Sequence, residues 1–310
     1  MNALRNSPGQ TAVKARMKCV LPAAAVLVSA ALTGGCVVVD SQGHITRDEK
    51  RFTVSGTPDL RLTTFDGSIE IRAGADREVI VEIEKRGPTQ EEVDKLQVDA
   101  KQDGDRIEIE VKHPSHDVVF GFGHMTPTAR LIVTMPKSGN VVAKSGDGSI
   151  RIERITGHLD LRTGDGSIRA NSIGGDVTLQ TGDGSVALDG ITGRLDLQTS
   201  DGSVTVAGTP DVARVHTGDG SITFRAESGA VMKDDWSFTS GDGGVSLYLP
   251  GDFSAELDAS TGDGSVHSDL SVAGGGGDTG ERKSLRGQIG HGGRLLKIRT
   301  GDGSIRLRSS

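Results

Sequence analysis

Apolar and polar residues alternate in short runs through the second half of the chain, and each run is stopped by a turn containing glycine. The segment from His158 to Gly175, HLDLRTGDGSIRANSIGG, shows the unit. Leu159, Leu161 and Thr163 alternate with Asp160 and Arg162, the period-2 pattern of a half-buried strand. Gly-Asp-Gly-Ser then predicts a turn, in which glycines can take positive φ and the aspartate can accept from a backbone N–H two residues on. Ile168 and Ala170 resume the alternation on a second short strand, and Ile173-Gly174-Gly175 closes the unit. The next unit repeats this with Val177, Leu179, Thr181, Val186, Leu188 and Ile191. No run in the array is long enough for a helix.

The unit recurs at a fixed interval. Gly-Asp-Gly-Ser begins at Gly146, Gly164, Gly182 and Gly218, and Ser200 opens the variant Ser-Asp-Gly-Ser. The aspartates Asp147, Asp165, Asp183, Asp201 and Asp219 are therefore equally spaced throughout. Looser copies follow at Asp242, Asp263 and Asp302, and an early copy surrounds Asp66. Hairpins in a meander or rungs of a coil would both fit two strands and two turns. Identical turns at one period favour the coil, because stacking sets Leu on Leu, Ile on Ile and Thr on Thr about 4.8 Å apart. It also satisfies each strand from the rungs on either side. The expected fold is all-β, a parallel β-helix or β-solenoid of ~18-residue rungs, right-handed by the general bias of parallel crossovers.

Residues 51–140 are less regular and are expected to form the atypical end of the same solenoid, with residues 141–310 carrying the repeats. Val79–Ile83 and Arg106–Val111 predict strands, and TQEEVDKL from Thr89 to Leu96 predicts a short helix with a capping-box pattern at Thr89 and Glu92. A glycine-rich insertion over 273–293 interrupts a late rung. Arg306 and Arg308 are read as charges on a final edge, which discourage end-to-end association.

Composition bears on the core and on location. Glycine numbers 45, while the 310 residues include only seven Phe, one Tyr and one Trp, so a thin aliphatic core is expected. Residues 1–35 read as a lipoprotein signal peptide. Arg5, Lys14, Arg16 and Lys18 precede the apolar run Cys19–Leu32, which is too short to span a bilayer as a helix. Leu32-Thr33-Gly34-Gly35-Cys36 then resembles a lipobox, although its leucine stands one position further from the cysteine than that pattern places it. Cys36 is the expected lipid anchor and residues 36–50 a tether. Removing the four basic residues of the leader takes the formal net charge from −7 to −11, which argues against nucleic acid. It also leaves no pair of cysteines for a disulfide.

The stretch from Thr128 to Ala170, TARLIVTMPKSGNVVAKSGDGSIRIERITGHLDLRTGDGSIRA, resembles the DUF4097 family of adhesin-type proteins. That family shows a strand ending in proline and then repeats of the T-G-D-G-S-I type. The likeness runs over roughly residues 50–310 and implies a β-helical envelope protein. It brings no binding or catalytic residues with it.

Four features could carry chemistry. The column Asp147, Asp165, Asp183, Asp201 and Asp219 could hold Ca²⁺ between rungs through hard oxygen ligands. The repeat supplies one carboxylate per turn, however, and lacks the G-G-x-G-x-D pattern of calcium-binding rolls, so structural turn aspartates are the main expectation. His113, His116, Asp117 and His124 have a spacing that suits a transition metal but lie in a proline- and glycine-containing loop. Phe120 and Phe122 are either packed on the solenoid or a contact patch. Trp236 lies where a rung is lengthened, and local packing is its main expectation over a contact role. No Ser-His-Asp order, CxxC pair or phosphate loop is present, so no enzyme, cofactor or catalytic residue is expected.

The resulting expectation is a monomeric, non-enzymatic cell-envelope lipoprotein, an adhesin-like scaffold presenting a repetitive face to an envelope protein or glycan. Envelope-stress sensing is one alternative. A polysaccharide-binding β-helix is another, and a deep groove lined by Trp236 and acids would be its mark. In a two-membraned cell, Val37 after the cysteine points to the outer membrane.

Overall fold

The computed structural model describes residues 37–40, 43–74, 76–113, 126–274 and 282–310. Strands dominate, because β-branched and aliphatic residues alternate with polar ones in runs too short for a helix. The first part of the chain holds β1 (Val37–Asp40), β2 (Gly43–Thr53), β3 (Asp59–Thr64), β4 (Ile69–Ala73) and β5 (Glu78–Gly87). The helix α1 (Gln90–Lys95) and the strands β6 (Gln97–Asp103), β7 (Arg106–Lys112) and β8 (Thr128–Met135) follow. The Thr89 hydroxyl caps α1 by accepting from the Glu92 N–H at 3.3 Å.

The repeats supply β9 (Asn140–Ser145), β10 (Ile150–Glu153), β11 (Thr156–Arg162), β12 (Ile168–Asn171) and β13 (Gly174–Thr181). Next come β14 (Val186–Thr199), β15 (Val204–Thr217), β16 (Ile222–Ala226), β17 (Trp236–Ser240) and β18 (Val245–Leu249). The remainder is β19 (Ala255–Thr261), β20 (Val266–Ser268), β21 (Val272–Ala273), β22 (Ser284–Ile289), β23 (Leu295–Thr300) and β24 (Ile305–Ser309).

These strands build two parallel columns. In one, Leu159 pairs with Val177, Val177 with Leu195, and Leu195 with Ala213. In the other, Ile150 pairs with Ile168, then Val186, Val204 and Ile222 in turn. Each step is one repeat unit, so the coil is the arrangement adopted and the meander is not. The strands β14 and β15 turn the corner between columns, and the ladder of β14 shifts register between Leu188 and Ile191. Arg154 and Ser172 take φ of 58° and 55° at this second corner, where Gly190 takes 66°. Inward side chains of both columns are buried and form one continuous apolar core, mostly aliphatic.

Rung order departs from chain order at both ends. The strands β3 and β4 stack directly on β9 and β10, so Ile69 lies beside Ile150 although five strands and the helix separate them in the sequence. The intervening chain returns to the outer side of that first rung. There β7 and β8 add parallel strands, and β2, β5 and β6 continue antiparallel. Ile45 and Phe52 on β2 are buried, so most of the segment expected as a tether is a strand of the cap. At the other end, β23 lies between β17 and β19, and β24 lies between β18 and β20. Residues 295–309 therefore fill an interior slot. Arg306 and Arg308 are not on a final edge as the sequence suggested, because β24 is paired on both sides. Within the 273–293 insertion, β22 pairs antiparallel with β19.

An ion cluster pins this junction. Arg299 on β23 bonds both the carboxylate and the carbonyl of Asp258 on β19, and the Arg286 Nε of β22 donates to Asp258 Oδ1 at 3.0 Å. The Arg299 hydrogen bond, helped by Arg286 and opposed by partial burial, holds the Asp258 carboxyl below its ordinary range. A depressed folded pKa stabilises at pH values above the unfolded value of about 3.9 and is lost as pH falls through the folded one. Acidification below about pH 4 should thus loosen β22 selectively. Amide exchange across β19, β22 and β23 checks this, and Asp258→Asn should remove the pH dependence there.

Candidate functional site

The repeated turn recurs along the stack, and its geometry explains each residue. The second glycine of every Gly-Asp-Gly passes close to its counterpart one rung away. A Cβ on Gly166, Gly184, Gly202 or Gly220 would sit 2.0–2.2 Å from the preceding glycine's carbonyl oxygen. None of these glycines has positive φ. Close approach between rungs, and not the left-handed conformation anticipated from the sequence, is what requires glycine here.

The residue before the turn supplies the polar closure. Thr181 Oγ1 donates to the carbonyls of Gly164 at 3.1 Å and Gly166 at 2.9 Å, both in the previous rung. Thr163 does the same to Gly146 and Gly148. Thr217 also accepts the Gly220 N–H of its own turn at 3.2 Å. Equivalent bonds come from Ser240, Thr300 and Thr261. This buried hydroxyl column performs the turn-closing role assigned in advance to the aspartates. The period-2 pattern marked these threonines as inward-facing but did not show that their hydroxyls bridge rungs. Thr217 is fully buried, so Thr217→Val strands a buried N–H and carbonyl. It should cost about 1–3 kcal/mol, read from urea unfolding.

The aspartates Asp147, Asp165, Asp183, Asp201 and Asp219 are aligned by this stacking and all are exposed. The carboxylate of Asp147 leans toward the next rung, where a Cβ on Gly164 would be 2.7 Å from its Oδ1. Among the described residues, no group of three or more His, Cys, Asp or Glu side chains is placed to hold a metal ion. His113 packs edge-on against Phe65, with ring centroids 5.6 Å apart. Cys36, His116, Asp117, His124, Phe120 and Phe122 lie outside the described residues.

Trp236 is fully buried. It packs against Phe224 and Phe253 with centroids 5.2 and 5.5 Å away, and its indole N–H donates to the Asp211 carbonyl at 3.3 Å. These aromatics fill the core where the rung lengthens, so Trp236 lines no groove. Among the described residues, the outer faces carry two open depressions. One of about 430 Å³ lies over Arg151, Arg169, Ala187 and Thr205, and one of about 230 Å³ over Gln198, Arg214 and His216. No helix among the described residues is long and apolar enough to cross a membrane.

Stacked rungs, a filled interior and glycine turns locked by threonine define a β-solenoid scaffold. The chain belongs to the DUF4097 family, since the Toastrack DUF4097 model matches residues 58–308. No curated protein matches it. Among solved structures, a candidate cell adhesion protein from Clostridium sporogenes is 14% identical, with 85% of this chain and 100% of that one covered and a TM-score of 0.29. A candidate adhesin from Bacteroides fragilis is 13% identical, covering 84% and 96%, at a TM-score of 0.42. A candidate lipid binding protein from Parabacteroides distasonis is 11% identical, covering 84% and 96%, at 0.38.

Proposed function

We propose that this protein is a non-catalytic, adhesin-like scaffold of the cell envelope, anchored through acylated Cys36 and presenting its outer sheet faces to a partner. The observation that carries this reading is the contrast between interior and exterior. The core is closed by aliphatic side chains and buried hydroxyls, while each column exposes a flat, periodic row of polar residues across many rungs. Such a surface binds through many contacts distributed along its length and not through one pocket. The lipobox-like sequence supports the anchor, and Val37 supports the outer membrane where two membranes exist.

Two measurements test it. Cys36→Ser should move the protein from the membrane to the soluble fraction and abolish incorporation of labelled fatty acid. Purified soluble protein, added in excess, should compete with cells for attachment. Unchanged fractionation would overturn the anchor, and undiminished attachment would overturn the adhesin-like role.

A further inference from the structure

We propose that the outer face of β16, β18 and β24 is a docking surface for an acidic polysaccharide, with Arg225, Tyr248, Arg306 and Arg308 at its centre. This deepens the adhesin-like reading and rests on it for its biological setting, while the chemistry stands on the geometry alone. The three strands are neighbours in one column, and their register sets Arg225 beside Tyr248 and Tyr248 beside Arg308. The Arg225 guanidinium lies 4.5 Å from the Tyr248 ring centroid, and that of Arg308 lies 5.8 Å from it on the neighbouring rung. Arg308 Nη1 also donates to the Tyr248 hydroxyl at 3.4 Å. One half-buried ring thus holds two guanidiniums in place.

None of Arg225, Arg306 and Arg308 has a carboxylate partner among the described residues, whereas many other arginines on the outer faces do. The outward positions of β16, β18 and β24 contain no acidic residue at all. On a chain whose formal net charge is −7, three arginines without an ion-pair partner gather on this face, with Asp269 the acidic neighbour beside Arg308, and form a local positive field that attracts anions. Preorganised guanidinium forks match carboxylates bidentately.

Three further observations select a glycan over other anions. Thr223 and Ser246 continue the register beside Arg306, placing a row of hydroxyls next to the charges, as a polyhydroxylated ligand requires. The strands are paired on both sides, so no peptide can add as a further strand here. The one exposed large hydrophobic residue among those described is Val231, outside this face, so the patch has nothing to insert into a lipid layer. The surface is open and does not involve Trp236.

The test uses the soluble chain and polygalacturonate as the probe, with neutral dextran, duplex DNA and anionic phospholipid vesicles as comparisons. Binding to polygalacturonate should be measurable at low salt and weaken as salt rises, and dextran should not bind. Arg225→Gln with Arg308→Gln should weaken binding at least tenfold. Arg306→Gln, at an exposed position without a partner, should weaken it severalfold at unchanged melting temperature, which keeps the test valid if the double variant is unstable. Arg162→Gln with Arg194→Gln, on the other column, should leave it unaltered. Absence of polygalacturonate binding, equal binding by the arginine variants, or equal or tighter binding to DNA or vesicles would overturn the proposal. Loss of cell attachment in the soluble-protein competition together with intact attachment by the Arg306→Gln protein would retain the scaffold reading and reject this surface.

Discussion

Gly184→Ala should destabilise the protein by about 3 kcal/mol or more, although it adds a single methyl group. The new Cβ would lie 2.0 Å from the Gly166 carbonyl oxygen and 2.5 Å from its carbon. Both are backbone atoms, so no rotamer change relieves the clash. The separation of the two rungs is itself fixed by the ladders on either side of the turn, where β11 pairs with β13 and β12 with β14. Gly184 must therefore move as a backbone segment, breaking the Thr181 hydroxyl bonds as it does. Gly251 supplies the control: a Cβ there meets nothing within 4 Å, and Gly251→Ala should change stability by no more than about 0.5 kcal/mol. Equal urea midpoints for the two variants would show that close rung approach does not set the requirement for glycine.

A larger effect is expected at residues 295–309. Stopping the chain after Gly293 removes an interior rung and not a terminal one. Trp236, Phe238, Val245 and Leu247 would lose their neighbours on one side, and Leu257 and Ala259 would lose theirs on the other. Stacked repeats are stabilised by nearest-neighbour contact, so the damage should stay local. Limited proteolysis should cut the truncated protein between residues 227 and 274 while the rungs from β9 to β16 stay protected. Ile298→Asp tests the same slot at full length. Ile298 is fully buried, and an unpaired carboxylate there should cost about 3–5 kcal/mol. Protection of β17 to β20 in either variant would mean that the slot is not needed to hold the rungs flanking it.

The regular array was legible in the sequence because its two signals agree. Alternation told which residues face inward, and the constant interval told which residue lies over which, as the pairing of Leu161 with Leu179 and of Leu179 with Leu197 shows. The helix at Thr89 was legible through its cap. The end rungs were not, because the copies at Asp66, Asp242, Asp263 and Asp302 keep the local turn chemistry but lose the spacing. Local chemistry fixes a rung's shape and leaves its place in the stack open. That place is decided by partners distant in sequence, as Ile305 is for Val245. The arginine and tyrosine surface was hidden for the same reason. Arg225, Tyr248 and Arg308 share no spacing, and only the reordered stack makes them neighbours. Trp236 pointed to an unusual rung, but its burial depends on Phe224 and Phe253 arriving from adjacent segments.

The interleaving of β23 and β24 also constrains how the molecule can be made. A polypeptide emerges from ribosome or export channel in one direction, so residues 255–268 appear before the residues that must come to lie beneath them. The early rungs can assemble as they emerge, each on the one before. Around β17 to β20 that progression has to halt, with two unfinished edges held apart until the last strands thread between them. A nascent chain interrupted there carries an open aromatic-lined gap, which only the arrival of β23 and β24 closes.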